Sequence, residues 1–130
     1  GELPEMSEEL RSVFEIGLGI LYMIGAGFNF AYTRKHGEEF YGSFARDTWF
    51  APATWFIEKF VIPRPRLFTT TLTLFQLFVA LALLSQGEFV GLGLLAGTAF
   101  CMYAVFVSSV PGAIANLVLA VLQFYLASAR

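Results

Sequence analysis

Thr33-Arg34-Lys35-His36-Gly37-Glu38-Glu39 opens a long polar stretch that runs through Asp47-Thr48-Trp49-Phe50-Ala51-Pro52 and closes at Val61-Ile62-Pro63-Arg64-Pro65-Arg66. It holds the single histidine, both tryptophans and six of the eight basic residues. The stretch is too polar to cross a bilayer and too aromatic to float free in water. On either side of it the chain turns apolar. Overall, 57% of residues are hydrophobic and 14% charged, against about 25% charged in soluble proteins. Fifteen phenylalanines and a mean hydropathy of +0.67 identify lipid as the solvent.

Working outward, the run before the stretch carries Phe14, Ile16, Leu18, Ile20, Leu21, Met23, Ile24, Phe28 and Phe30. It is long enough for a bilayer core of about 30 Å at 1.5 Å per residue. Ser7 followed by Glu8 and Glu9 predicts its start, a hydroxyl N-cap with carboxylates at the positive dipole end. Gly37, after the basic Arg34-Lys35 turn, predicts its C′ stop. The acidic Gly1–Glu5 segment lacks the positive region of a signal peptide. The leading glycine suggests an added segment, with Met6 as the native start.

Beyond the stretch lie three more apolar runs, joined by Ser85-Gln86-Gly87-Glu88 and Ser108-Ser109-Val110-Pro111-Gly112. Joins this short force antiparallel neighbours. The reading is a single all-α domain over residues 1–130, an integral membrane four-helix bundle with spans at about 13–33, 67–84, 89–107 and 113–128. A buried helical core in a soluble protein is disfavoured by the near absence of charge within any run.

The connecting segment 34–66 is itself predicted to be partly helical. Glu38–Arg46 is amphipathic, with Phe40, Tyr41 and Phe44 on one side. Asp47 or Thr48 caps a second helix, with Ala51 as an alternative boundary because Pro52 suits the first turn. Trp55, Phe56, Ile57 and Phe60 then supply an apolar face, while Thr54 and Glu58 lie on another. Some ten to fourteen residues cannot span, which predicts an interfacial or re-entrant segment. Trp49 and Trp55 suit the aromatic belt at the membrane surface.

Four spans put the first and third joins on one face and both termini on the other. Arg34, Lys35, Arg46, Lys59, Arg64 and Arg66 stand against Arg11 and Arg130. This bias predicts a multi-pass protein of the cell (inner) membrane with segment 34–66 cytoplasmic and both termini outside. A competing pull is that an amphipathic segment in the headgroups binds anionic lipid on either leaflet.

Polar residues inside the spans carry the functional expectation, because burying them in hydrocarbon without a partner is costly. Asn29 and Asn116 fall at the same membrane face, Gln76 lies midway along the second span, and Gln123 is two turns deeper than Asn116. With the segment folded over them, His36, Glu39, Glu58, Arg64 and Arg66 are expected to converge there, with Trp55 nearby. The plainer reading is that each amide bonds a neighbouring helix, worth about 0.6–2 kcal/mol. Gly17, Gly19, Gly25, Gly27 and the pair Gly93 and Gly97 predict close helix approach. Arg11 and Glu15, four apart, predict an interfacial ion pair.

Chemistry is sparse. His36-x-x-Glu39 lacks the ligand count of a metal site, and no metal is expected. His36, Glu39 and Glu58 are weak candidates for acid–base work. Cys101 stands alone, so there is no intrachain disulfide and no Cys-x-x-Cys; no phosphate-cradling loop or haem motif occurs. A formal charge of −2 with no basic tract gives no indication of nucleic acid.

The layout resembles a known family. A glycine-rich first span (Gly17-Leu18-Gly19 to Gly25-Ala26-Gly27-Phe28-Asn29) precedes a long, partly helical connection. The second span opens after a proline and carries Gln76, the third is glycine-rich, and the fourth begins Ala115-Asn116-Leu117. Together these features resemble the DoxX-like family of small four-span prokaryotic membrane proteins. The likeness covers nearly the whole chain, and many relatives carry a carboxylate where Gln76 stands, a departure that bears on any proton-coupled role there. It implies a non-catalytic or accessory subunit of a membrane redox system, such as a subunit of a quinone-linked oxidoreductase, with a quinone or lipid bound beneath segment 34–66. The headgroup would meet Asn29, His36 and Asn116, the tail would lie along Phe75, Phe78 and Phe124, and electrons would come from a partner subunit. Two alternatives stay open: an enzyme acting on a lipid or isoprenoid, and a structural membrane component without ligand. Membrane lipids and a homo-oligomer complete the expected partners.

Overall fold

A computed structural model describes residues 6–130; the Gly1–Glu5 segment, with the expectation about its origin, lies outside the described residues. The first helix, α1, spans Glu8–Phe28 and continues through a π-helical turn, Asn29–Thr33. Ser7 caps it, its hydroxyl accepting the Leu10 N–H at 3.2 Å. Two short helices follow, α2 (Gly37–Asp47) and α3 (Ala51–Phe56), the latter running on through a second π-helical turn, Ile57–Val61. Three long helices complete the chain: α4 (Pro65–Ser85), α5 (Val90–Val107) and α6 (Val110–Ser128). No strand occurs among the described residues.

Four of these helices are long and apolar enough to cross a membrane: α1 with its π turn, α4, α5 and α6. Their outward faces are hydrophobic throughout, with Ile24, Val118 and Val121 each more than 60% exposed. In water that surface would aggregate; in lipid it is solvated. The protein is an all-α, multi-pass membrane bundle, with α2 and α3 forming a cap over one end.

Helix α1 packs along α4, α4 against α5, and α5 along α6. Close approach depends on a few glycines. A Cβ on Gly19 would lie 2.9 Å from Leu84, and one on Gly93 would lie 2.9 Å from Ala82. Gly17 and Gly27 have nothing within 4 Å and face outward, so the expectation that all four glycines of the first span mediate packing holds only for Gly19 and Gly25. The end near the termini is solid: Val79, Leu83, Leu94 and Leu126 are fully buried there. The capped end has a smaller core of Tyr41, Ala45, Ile57 and Val61, packed on Phe68, Leu72 and Val107.

Three local expectations are corrected. Gly37 does not end the first span; it opens α2, where it is buried against Pro65. The second cap helix begins at Ala51, not at Asp47 or Thr48, with proline in its first turn as the alternative boundary required. The expected Arg11–Glu15 pair does not form. Glu15 instead takes Arg130 at 2.6 Å and 2.8 Å, while Arg11 donates to the Ala129 carbonyl at 3.3 Å. The i,i+4 rule governs exposed helix faces; Glu15 is fully buried against α6 and meets the basic group that arrives there.

Candidate functional site

The cap is fastened to the bundle at both sides. Trp49, in the turn between α2 and α3, donates its indole N–H to the Val105 carbonyl at 2.6 Å and its backbone N–H to Ser108 at 3.2 Å. On the other side the Tyr41 and Thr69 hydroxyls share a hydrogen bond of 2.8 Å. Burial pushes the Tyr41 phenol up from its ordinary pKa, an effect the Thr69 bond partly offsets. Within α2, Phe40 and Phe44 stack edge to face at 5.0 Å and present one aromatic surface downward.

Between cap and bundle lies a cavity of about 260 Å³. Its walls are Gly25, Phe28 and Asn29 of α1; Phe40, Tyr41 and Phe44 of α2; Ile57 and Val61 beyond α3; Leu72 and Gln76 of α4; Phe100, Tyr103, Ala104 and Val107 of α5; and Ser108 and Asn116. Every α1 and α4 polar group here is an amide. The π turn starting at Asn29 breaks the α register there, and such turns recur at functional sites. Asn29 Nδ2 donates to Gln76 Oε1 at 2.6 Å. Among the described residues that bond uses one end of each amide, leaving Asn29 Oδ1 and Gln76 Nε2 without a protein partner. Flipping both amides exchanges the ends and still leaves one donor and one acceptor. Gly25 makes room for the pair, since a Cβ there would lie 2.8 Å from Gln76 Nε2.

Among the described residues no charged side chain borders this space. The volume suits one substituted ring or a headgroup of that size, well above the about 150 Å³ that holds benzene and below a pocket for a whole lipid. Leu72, Phe100 and Tyr103 also border an apolar groove of about 340 Å³ on the outer side of α4 and α5, which Phe56, Phe68 and Phe75 complete. The two spaces thus have Leu72, Phe100 and Tyr103 in common as lining.

The residues expected at the site divide into separate groups. Asn29, Gln76 and Asn116 line the cavity, although Asn116 turns its Nδ2 back to the Gly112 carbonyl at 2.9 Å. His36, Glu39 and Arg66 instead border an exposed depression beside the N-terminus of α2. Glu58 and Arg64 are exposed, as is Trp55, whose ring lies under the Lys59 ammonium at 5.1 Å. The expected convergence of these charged groups on Asn29 and Asn116 does not occur, because the cap turns its aromatic face inward and its charged edge outward. Of the residues expected along a tail, Phe75 lines the groove while Phe78 and Phe124 are exposed elsewhere.

Gln123 belongs to a second, deeper polar cluster. Its Oε1 accepts the Tyr22 hydroxyl at 2.8 Å, and its Nε2 donates to the Leu119 carbonyl at 3.0 Å and to Cys101 Sγ at 3.2 Å. This cluster closes on itself and pins α1, α5 and α6 together below the cavity. Phe40, Tyr41 and Phe44, expected on one side of an amphipathic helix, line the site, as does Tyr103 of α5. The signal that could have found them is the spacing of Phe40, Tyr41 and Phe44 over one turn. Among the described residues no group of three His, Cys, Asp or Glu could hold a metal.

The arrangement defines a class: a multi-pass membrane bundle with a neutral, capped cavity opening beside lipid. No family model, curated protein or solved structure matches the chain.

Proposed function

We propose that the chain binds the head of a neutral, lipid-soluble molecule, a quinone or a lipid of similar polarity, in the cavity beneath the cap. The observation that carries this reading is the pairing of Asn29 with Gln76, which leaves one amide donor and one acceptor without a protein partner at an uncharged, mostly apolar space. A carbonyl or hydroxyl on a ring satisfies such a pair. A carboxylate or phosphate would meet no counter-charge there and pay its full desolvation. The groove past Leu72, Phe100 and Tyr103 gives an isoprenoid or acyl tail a place to lie.

On this reading the chain is an accessory subunit of a membrane redox system, as its resemblance to the DoxX-like layout suggests, and a partner protein carries the electrons. The enzymatic alternative has less support, since His36, Glu39 and Glu58 all stand outside the cavity. The distribution of basic residues favours a cytoplasmic cap with both termini outside. The test is extraction and mass spectrometry of the protein purified in mild detergent from quinone-containing membranes. A neutral prenylated or acylated molecule should accompany the unaltered protein and fall to background in Leu72→Trp, which fills the cavity. Purified protein carrying no such molecule, or equal amounts in the variant, refutes the assignment.

A further inference from the structure

The charged residues that the cap turns outward form a site of their own. Arg34, Lys35, His36, Glu38, Glu39 and Arg66 surround an open depression of about 300 Å³, floored by Gly37 and Pro65. We propose that this depression binds the phosphate of an anionic phospholipid at the membrane surface. The proposal does not depend on what occupies the cavity beneath the cap.

Three observations carry it. First, the cations are uncommitted. Among the described residues the only ion pair joins Arg130 to Glu15, so Arg34, Lys35 and Arg66 have no carboxylate partner even though Glu38 and Glu39 share the rim. The Arg34 guanidinium lies over the Phe30 ring at 4.5 Å, and the His36 ring lies tilted against Tyr32 at 4.8 Å.

Second, two helices begin at this point. Gly37 opens α2 and Pro65 opens α4, neither with a side-chain cap, and a Cβ on Gly37 would lie 2.8 Å from that of Pro65. The first turn of α2 already carries Glu38 and Glu39, whereas that of α4 has no acidic residue, so the positive end of α4 adds to the fixed cations and an anion relieves it.

Third, the position selects a lipid over a free ion. Phe30, over whose ring Arg34 lies, and Leu67, which follows Arg66 on α4, are both exposed apolar side chains. A phosphate seated among the cations leaves acyl chains to lie along these side chains. Charge across the bundle is asymmetric in the same sense. Segment 34–66 has six basic against four acidic residues, whereas on the opposite face Arg11 and Arg130 meet Glu8, Glu9, Glu15 and Glu88.

Native mass spectrometry of the whole detergent-solubilised protein, supplied with equimolar phosphatidylglycerol and phosphatidylcholine, tests this. The unaltered protein should retain the anionic lipid preferentially. Arg34→Gln with Arg66→Gln should lower that retention by about 25-fold, at about fivefold per cation removed, and Lys35→Gln alone by about fivefold. Arg46→Gln with Lys59→Gln, which removes equal charge elsewhere on the cap, should leave it within about twofold on the same scale. Melting temperature verifies that each variant is folded, and Lys35→Gln decides the matter if the double variant is not. Equal retention of the two lipids, or equal loss in both double variants, overturns the proposal. Competition by millimolar inorganic phosphate that abolishes lipid retention would reassign the depression to a free anion and overturn it likewise.

Discussion

Replacing Gly97 by alanine should loosen the bundle far more than the same change at Gly17 or Gly27. A Cβ at position 97 would fall on Gln123 Oε1 and within 2.7 Å of the Tyr22 hydroxyl. The Gln123 amide must move, and its bond to Tyr22 at 2.8 Å is lost. One interhelical hydrogen bond of this kind is worth about 0.6–2 kcal/mol, and forcing a methyl into a filled interior adds about 1–3 kcal/mol. Alanine regains about 1 kcal/mol over glycine in a helix interior. The net expectation is a loss of about 1–4 kcal/mol, following from these three figures. Gly17→Ala and Gly27→Ala, with nothing within 4 Å, should be neutral or stabilising by up to about 1 kcal/mol. Reversible unfolding in mixed micelles of dodecyl maltoside and SDS measures all three on one scale. If Gly97→Ala is as stable as Gly27→Ala, the Tyr22–Gln123 pin does not hold α1 to α5 and α6.

The cap and the terminal end make further predictions. Trp49→Phe removes the indole bond to Val105, which should weaken cap docking by about 0.5–1.5 kcal/mol; faster amide exchange confined to α2 and α3 would show it, and unchanged exchange would sink the idea. Arg130→Ala leaves a carboxylate fully buried at Glu15, so it should cost about 3–5 kcal/mol, while the double variant with Glu15→Ala should recover part of that; strictly additive losses would mean the pair does not interact. Tyr41 should stay protonated past its ordinary range because burial raises its pKa. Its neutral form is the one the fold favours, so this contribution is complete below the unfolded phenol pKa of about 10 and is lost as pH rises through the folded value. Alkaline difference absorbance with Tyr41→Phe subtracted gives the sign, and titration of Tyr41 ahead of the exposed tyrosines would contradict it.

The spans were legible because length and hydropathy alone define a membrane helix, and the observed helices fall within a few residues of the expected bounds. Which side of each helix faces inward was not. Gly17 and Gly19 are two residues apart, yet one meets lipid and the other meets Leu84. A helix apolar all round carries no amphipathic record of its own orientation. Asn29 and Asn116 were legible as neighbours at one membrane face, but nothing in the sequence separated Gln76, which joins them at the cavity, from Gln123, which bonds Tyr22 in a deeper cluster. The grouping of His36, Glu39, Glu58, Arg64 and Arg66 with them failed for a different reason. Their direction is set by how Trp49 and Tyr41 dock the cap, a tertiary fact that no spacing within segment 34–66 encodes. The partner of Glu15 was hidden likewise, since Arg130 lies at the far end of the chain.

The contrast between the packed terminal end and the hollow capped end has a mechanical consequence. Close-packed interiors are poorly compressible, and Leu83, Leu94 and Leu126 are fully buried at one end, whereas the other end holds a space of about 260 Å³ under the cap. A deformation of the bundle would meet least packed resistance where Asn29 and Gln76 sit. The Tyr22–Gln123 bond ties α1 to α6 between the two ends, so the hollow is bounded on that side by a closed polar cluster.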